Sequence, residues 1–238
     1  MKTKQKPIIQ IILPIYKRID LLKLCLRSIR RLQEDPRYII KCSIVWSHNE
    51  DKQNIGYFFD NKLNTSVGLP NKPLGTKLNG AIADSLKKCN YYDYMMQLGS
   101  DDLISTDYLD KIQPYLERGV MFFGPDKLLF IDQQTKAVKY HQTGYHFGAG
   151  RLIHRSLLDV DGTNYWYSEI NKGLDNSLTR NIYERWGTTP DTMQQVIASD
   201  TPLVCDIKGE ENIHSFESVP GELIDGRYNH LFPELERL

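Results

Sequence analysis

Residues 94–105 read YMMQLGSDDLIS: an apolar run reaches Gly99, and two carboxylates, Asp101 and Asp102, follow at once. Adjacent carboxylates repel and raise each other's pKa unless a cation or a helix N-terminus relieves them. A hard divalent ion, Mn2+ or Mg2+, shared with phosphate oxygens is the natural relief. The local alternative is an Asx-type turn feeding the next helix. Farther along, GAGRLIHRSLL gathers Arg151, His154 and Arg155 behind two glycines that permit close backbone approach. At helical spacing Arg151 and His154 share a face, suited to a diphosphate, an anionic acceptor or simply solvent.

The elements that must position these groups follow from periodicity. Residues 8–16 are Ile-rich with little alternation, as a parallel strand covered on both faces should be. Asp20 can cap a helix with Leu22, Leu26 and Ile29 on one stripe. KCSIVWS is a second strand, KLNTSVGLPNKPLG a loop studded with Asn, Gly and Pro, and Thr76 opens a helix carrying Leu78, Ile82, Leu86 and Cys89. YDYMMQL is the third strand, and Thr106 can cap the next helix. GVMFFG and the pair within KLLFIDQQTKAVKYHQ are strands, the pair joined by a polar turn at residues 132–135. TGYHFGAGRLIHRSLL is glycine-rich and then helical; Leu174, Leu178, Ile182 and Trp186 form a further helical stripe, and PLVCDI is a last strand. Strand and helix alternate as in an open α/β sheet, whose ligands collect beyond the carboxyl ends of its strands. Asp101 and Asp102 lie at such an end.

The 238 residues, 40% of them hydrophobic, suffice for one full core. Thirty Lys plus Arg balance thirty Asp plus Glu, so no global field favours nucleic acid, and stable nucleic-acid binding is not expected. The basic, apolar N-terminus is interrupted by Gln10 and Pro14 and lacks a small-residue cleavage site, so it reads as a strand. No run approaches the roughly 20 apolar residues of a membrane span, and a cytoplasmic protein is expected. Cys25, Cys42, Cys89 and Cys205 lie far apart and read as buried apolar residues.

With LPIYKR, GTKLNGAI and LGSDD in this order, residues 8 to about 105 resemble the GT-A fold of nucleotide-sugar glycosyltransferases of the family 2 type. The resemblance implies a Rossmann-like open mixed sheet flanked by helices, with an acceptor-side extension. Residues 1–105 would be the nucleotide-sugar half, and 106–238 the acceptor and catalytic half of one domain. It implies a metal-dependent hexosyl transfer, with inversion, from a nucleotide diphosphate sugar, with UDP favoured. The acceptor is left open among glycan, lipid carrier, protein and others. By resemblance Pro14, Tyr16 and Arg18 would line the nucleoside pocket, Lys77 and Asn79 would approach the base or diphosphate, and Asp101 would hold the metal. Asp102 would be a second ligand. The bland alternatives are strand-end packing for Tyr16, solvated helix-start charges for Arg18 and Lys77, and an exposed polar residue for Asn79.

Two departures from the family pattern stand out. Gly99 occupies the place of its first aspartate, and VWSHNED replaces the acidic pair after the second strand, where Ser47 could bond a base and Trp46 could stack on it. The family's base begins a helix, and Asp175 in NKGLDNSL resembles it, with an ordinary N-cap as the alternative and Glu169 in reserve. His214, in the loop after the last strand, resembles the histidine that such enzymes return to the metal or diphosphate. Two rival readings remain: an inactive GT-A domain binding a glycan or partner protein, and a nucleotidyltransferase. The latter wants a glycine-rich basic loop that LPIYKRIDLL lacks.

Overall fold

The computed structural model describes residues 5–56, 64–88, 91–158, 165, 168–186, 194–210, 212 and 214–238. Cys89, Trp166 and Tyr167 lie outside them. Two sheets share the chain. The larger has β3(Asn64–Gly68), β2(Ile39–Trp46), β1(Ile8–Pro14) and β4(Tyr94–Gln97) as parallel neighbours, continued by β9(Leu152–His154), β6(Phe122–Gly124) and β10(Gln194–Val196). β9 runs antiparallel to both β4 and β6.

The unalternating isoleucines of β1 are explained by burial on both faces. Ile9, Ile11 and Leu13 pack with α1(Ile19–Gln33), whereas Ile8 and Ile12 pack with Leu78, Ala81 and Ile82 of α3(Leu74–Lys88). The second sheet pairs β7(Lys127–Asp132) with β8(Val138–Gln142) as a hairpin, flanked by β12(Glu222–Ile224) and β11(Val204–Lys208). β11 in turn pairs antiparallel with β5(Asp102–Ile104), the strand that begins at the second carboxylate. α2(Asn49–Asn54), α4(Tyr108–Glu117) and α5(Leu174–Trp186) complete the helices.

Several local expectations are corrected. The loop expected around Thr65 contains β3, a polar edge strand whose pairing comes from β2 rather than from its own pattern. Residues 152–154 form a strand followed by one 3-10 turn at Arg155–Leu157, because Leu152 and Ile153 are buried on opposite faces between β4 and β6. Arg151 and His154 therefore do not share a helical face. Helix starts also shift: Arg18, not Asp20, precedes α1, α3 opens at Leu74 rather than Thr76, and Asp107 precedes α4.

Candidate active site

β1, β2 and β4 are parallel, so the segments after Pro14, Trp46 and Gln97 leave the sheet at one edge. After β1 the chain turns sharply: Lys17 and Arg18 both lie in the left-handed region, at φ 56° and 54°. That conformation costs roughly 1–2 kcal/mol per non-glycine residue. The turn delivers the Arg18 guanidinium to the β4 loop, where it donates to Asp101 Oδ2 at 2.7 Å and Ser100 Oγ at 2.9 Å. A hydrogen bond to a charged partner contributes about 1.5–3 kcal/mol, comparable to the cost of the turn. Beside Arg18, a cavity of about 480 Å3 opens between the start of α1 and the β7–β8 turn at Gln133 and Gln134.

The two adjacent aspartates have different surroundings. Asp101 Oδ2 also accepts from Asn212 Nδ2, which leaves Oδ1 as its open donor. Asp102 is buried and turns back on its own loop, accepting from the Gly99 N–H. Gly99 lets both carboxylates fold over the loop: a Cβ there would lie 2.8 Å from Asp101 Oδ1 and 3.0 Å from Asp102 Oδ2, so a side chain would have to displace them. Across the β5–β11 ladder Asp102 faces Asp206, a carboxylate that the sequence reading missed. Burial, then the carboxylates of Asp206 and Asp101, push Asp102 well above the usual carboxylate range. Burial, then Asp101, lifts Asp206 to about 6, although Lys208 donates to its Oδ2 at 2.6 Å. Lys208 is thus committed to Asp206. The one sequence signal for Asp206 was a carboxylate inside the otherwise apolar strand PLVCDI.

On the other side of Arg18 the β2 end contributes Asp51, 2% exposed. Its Oδ1 accepts from the Lys17 N–H at 3.0 Å, and its Oδ2 is buried with no hydrogen-bond partner. The hydroxyl of Ser47 and the indole N–H of Trp46 are likewise buried and unpartnered. Tyr16 and His48 pack here with ring centroids 5.0 Å apart. Trp46 lies over Gly68, whose Cβ would come within 2.5 Å of its ring, so its face is covered by the chain itself. Pro14 ends β1 and pairs with Val45. An acidic group therefore does follow β2: Asp51, the last residue of VWSHNED, is turned in by α2 four residues beyond Ser47.

Lys77 is 1% exposed and donates to Ile15 O at 2.6 Å and Asn71 Oδ1 at 3.2 Å. Burial lowers its pKa to about 8, opposed by Asp51 and reinforced by Arg18. It ties α3 to the end of β1 rather than standing free as a surface cation. Asn79 is used elsewhere: it accepts from Tyr165 N–H and donates to Ser168 Oγ. The first N–H groups of α3 reach the same stretch, Leu74 bonding Asn171 Oδ1, Gly75 bonding Ile170 O and Thr76 bonding Ser168 O. That docking fixes the chain entering α5.

Asp175 is the second residue of α5, not its N-cap, and is 51% exposed. Its Oδ2 accepts from the Gly148 N–H at 3.1 Å and its Oδ1 lies 3.7 Å from Arg151 Nη2. His214 is exposed. Among the described residues no three His, Cys, Asp or Glu side chains gather into a group that could hold a metal ion, so Asp101, Asp102 and His214 do not form one. Asp102 is bound to its own turn and His214 projects to solvent. An ion shared with a diphosphate requires less, because Mg2+ is typically held by one or two carboxylates together with phosphate oxygens and water. Asp101 Oδ1 fits that donor set.

No family model matches the chain, and no curated protein matches it. Solved structures do. TarS residues 1–349 from S. aureus superpose with a TM-score of 0.59 at 15% identity, over 85% of this chain and 60% of that one. The same protein with UDP-GlcNAc gives 0.62 at 16% identity, over 87% and 60%. The mannosyltransferase PcManGT from Pyrobaculum calidifontis, in complex with GDP-Man and Mn2+, gives 0.58 at 15% identity, over 88% and 59%. The chain has the GT-A fold.

It spans about three-fifths of the length of these GT-A structures. The likeness extends past the first four strands through most of the chain. Among the described residues no helix is long and apolar enough to cross a membrane.

Proposed function

We propose that this GT-A domain is a glycosyltransferase that moves a sugar from a nucleotide diphosphate donor to an acceptor hydroxyl, with inversion. One observation carries the reading: the edge where β1, β2 and β4 end joins a buried, half-unpartnered carboxylate, Asp51, to the Arg18–Asp101 pair. The similar structures bound to UDP-GlcNAc and to GDP-Man support it.

In this reading Asp51 accepts from a ring N–H of the nucleobase, with Ser47 and the edge of Tyr16 completing the pocket. Uracil and guanine present a ring N–H to such an acceptor; cytosine and adenine do not. UDP is the favoured donor nucleotide. Arg18 meets the diphosphate, and Asp101 Oδ1 would hold Mn2+ or Mg2+ beside it. When bound, the ion neutralises charge on the departing diphosphate. Asp175 takes the proton of the acceptor hydroxyl as it attacks the anomeric carbon. Residues 1–105 supply the donor half and 106–238 the acceptor half.

Calorimetry with UDP-, GDP- and CDP-sugars, with and without Mn2+, tests the proposal. Micromolar binding of a UDP- or GDP-sugar that strengthens with Mn2+ is expected. Binding of none of the three overturns it.

A further inference from the structure

We propose that Arg151 is the positioning residue of Asp175, holding the carboxylate at the edge where acceptor and donor meet. The inference rests on the reading of Asp175 as the base.

Arg151 is 1% exposed, yet it carries a full guanidinium into the core. The two terminal nitrogens of that guanidinium lead to the site. Nη1 donates to Thr179 Oγ1 at 3.1 Å, one turn along α5 from Asp175, and that hydroxyl donates onward to Asp175 O at 2.9 Å. Nη2 faces Gln97 Oε1 at 3.4 Å and Asp175 Oδ1 at 3.7 Å. Nε has no hydrogen-bond partner, so the anchoring runs through the two terminal nitrogens. Phe122 closes the remaining side, its ring centroid 5.3 Å from the guanidinium carbon. Gln97 is the last residue of β4, four before Asp101, and its backbone binds the Arg151 loop as well: Gly150 N–H donates to Gln97 O at 2.9 Å. One buried cation therefore links the strand that ends in the donor carboxylate to the helix that begins with the candidate base.

The local sequence is shaped for this contact. Gly148 donates its N–H to Asp175 Oδ2, and a Cβ there would fall 1.9 Å from Oδ1, so the carboxylate rests against bare backbone. Gly150, at φ 71°, turns the chain so that Arg151 enters the core. Burying an arginine is unfavourable unless a partner charge offsets the lost hydration. The opposing charge comes from Asp175: burial lowers the Arg151 pKa and Asp175 raises it. This partner is half exposed, free to meet an acceptor hydroxyl.

The reaction itself provides the test, with water as acceptor: attack on the anomeric carbon forms a C–O bond, breaks the bond to the diphosphate and gives the proton to Asp175. Release of nucleoside diphosphate from UDP-GlcNAc, UDP-glucose and GDP-mannose with Mn2+ is measured in Arg151→Gln, Arg151→Lys, Asp175→Asn and the Arg151→Gln/Asp175→Asn double variant. Donor affinity is measured by calorimetry. Arg151→Gln is expected to lower kcat at least tenfold with donor Kd within threefold, Arg151→Lys to recover part of the loss, and the double variant to match Asp175→Asn. Multiplying losses in the double variant, or wild-type kcat in folded Arg151→Gln when Asp175→Asn is inactive, overturns the inference alone. Wild-type kcat in Asp175→Asn overturns the base reading and the inference with it. Where Arg151→Gln fails to fold, Thr179→Val removes one anchor of the guanidinium; a smaller kcat loss that disappears in the Asp175→Asn background supports the inference, and unchanged kcat overturns it.

Discussion

Arg18 and Asp101, 83 positions apart, are joined by a charge-assisted hydrogen bond of 2.7 Å that locks the β1 turn to the β4 loop. The neighbouring Asp102 has no share in it. Its carboxylate closes the Gly99 turn, and burial favours its protonated form. The two aspartates should therefore separate on mutation. Asp101→Asn is expected to abolish Mn2+-dependent strengthening of donor binding and to loosen Arg18. Asp102→Asn retains an oxygen for the Gly99 N–H and should keep donor affinity within about threefold. Calorimetry on both variants checks this; equal losses would return Asp102 to the metal site.

Asp51 Oδ2 is buried and unpartnered while Oδ1 holds the Lys17 N–H. If Oδ2 reads the nucleobase, Asp51→Asn exchanges an acceptor for a group that can donate. A hydrogen bond to a charged group contributes about 1.5–3 kcal/mol, so UDP-sugar affinity should fall roughly ten- to hundredfold. The same change should improve CDP-sugar binding relative to UDP-sugar. Unchanged affinity for all three nucleotides places the base elsewhere.

How far the sequence reached is visible in these residues. β1, α1 and α3 were legible because a doubly covered strand and amphipathic helices impose local periodicities on their own residues. The helix beginning near Asp175 was legible for the same reason. β3 was not, because it is a short polar strand that exists only through pairing with β2. Asp206 and Asp51 were not singled out, because their proximity to Asp102 and Lys17 is created by β11 and α2 packing. Lys77 and Asn79 were singled out by pattern, but their partners come from tertiary packing, Lys77 bonding the Ile15 carbonyl after β1 and Asn79 bonding Tyr165 and Ser168.

Gly99 stands where the family 2 pattern that this sequence resembles has an aspartate, and the geometry predicts that an acid there harms the site. Its Cβ would press on both carboxylates, and its own carboxylate would join three others, those of Asp101, Asp102 and Asp206. Gly99→Asp should lower the melting temperature and weaken Mn2+-supported donor binding at least tenfold. Gly99→Ala isolates the steric part and should fall between. Tighter donor binding in Gly99→Asp would show that the loop opens to admit a second ligand.

His146 gives the fold a pH dependence. It is buried edge-on against Phe122, with centroids 4.5 Å apart, and only weak contacts with the backbone of His146 and Phe147 favour its protonated form. Burial, and then the Arg151 cation, lowers its pKa from 6.5 to about 3. Between those values the unfolded chain binds a proton here that the folded chain does not. Stability therefore falls as pH falls, by up to about 1.4 kcal/mol per pH unit from this group. Asp102 and Asp206 act in the opposite sense, because their raised pKa values favour protonation of the folded state. A difference measurement isolates the histidine. His146→Phe should match the wild type within about 1 kcal/mol at pH 7.5 and surpass it increasingly toward pH 4, read from urea unfolding across that range. Parallel curves for the two proteins would mean that His146 is protonated in the fold, with an acceptor beside it.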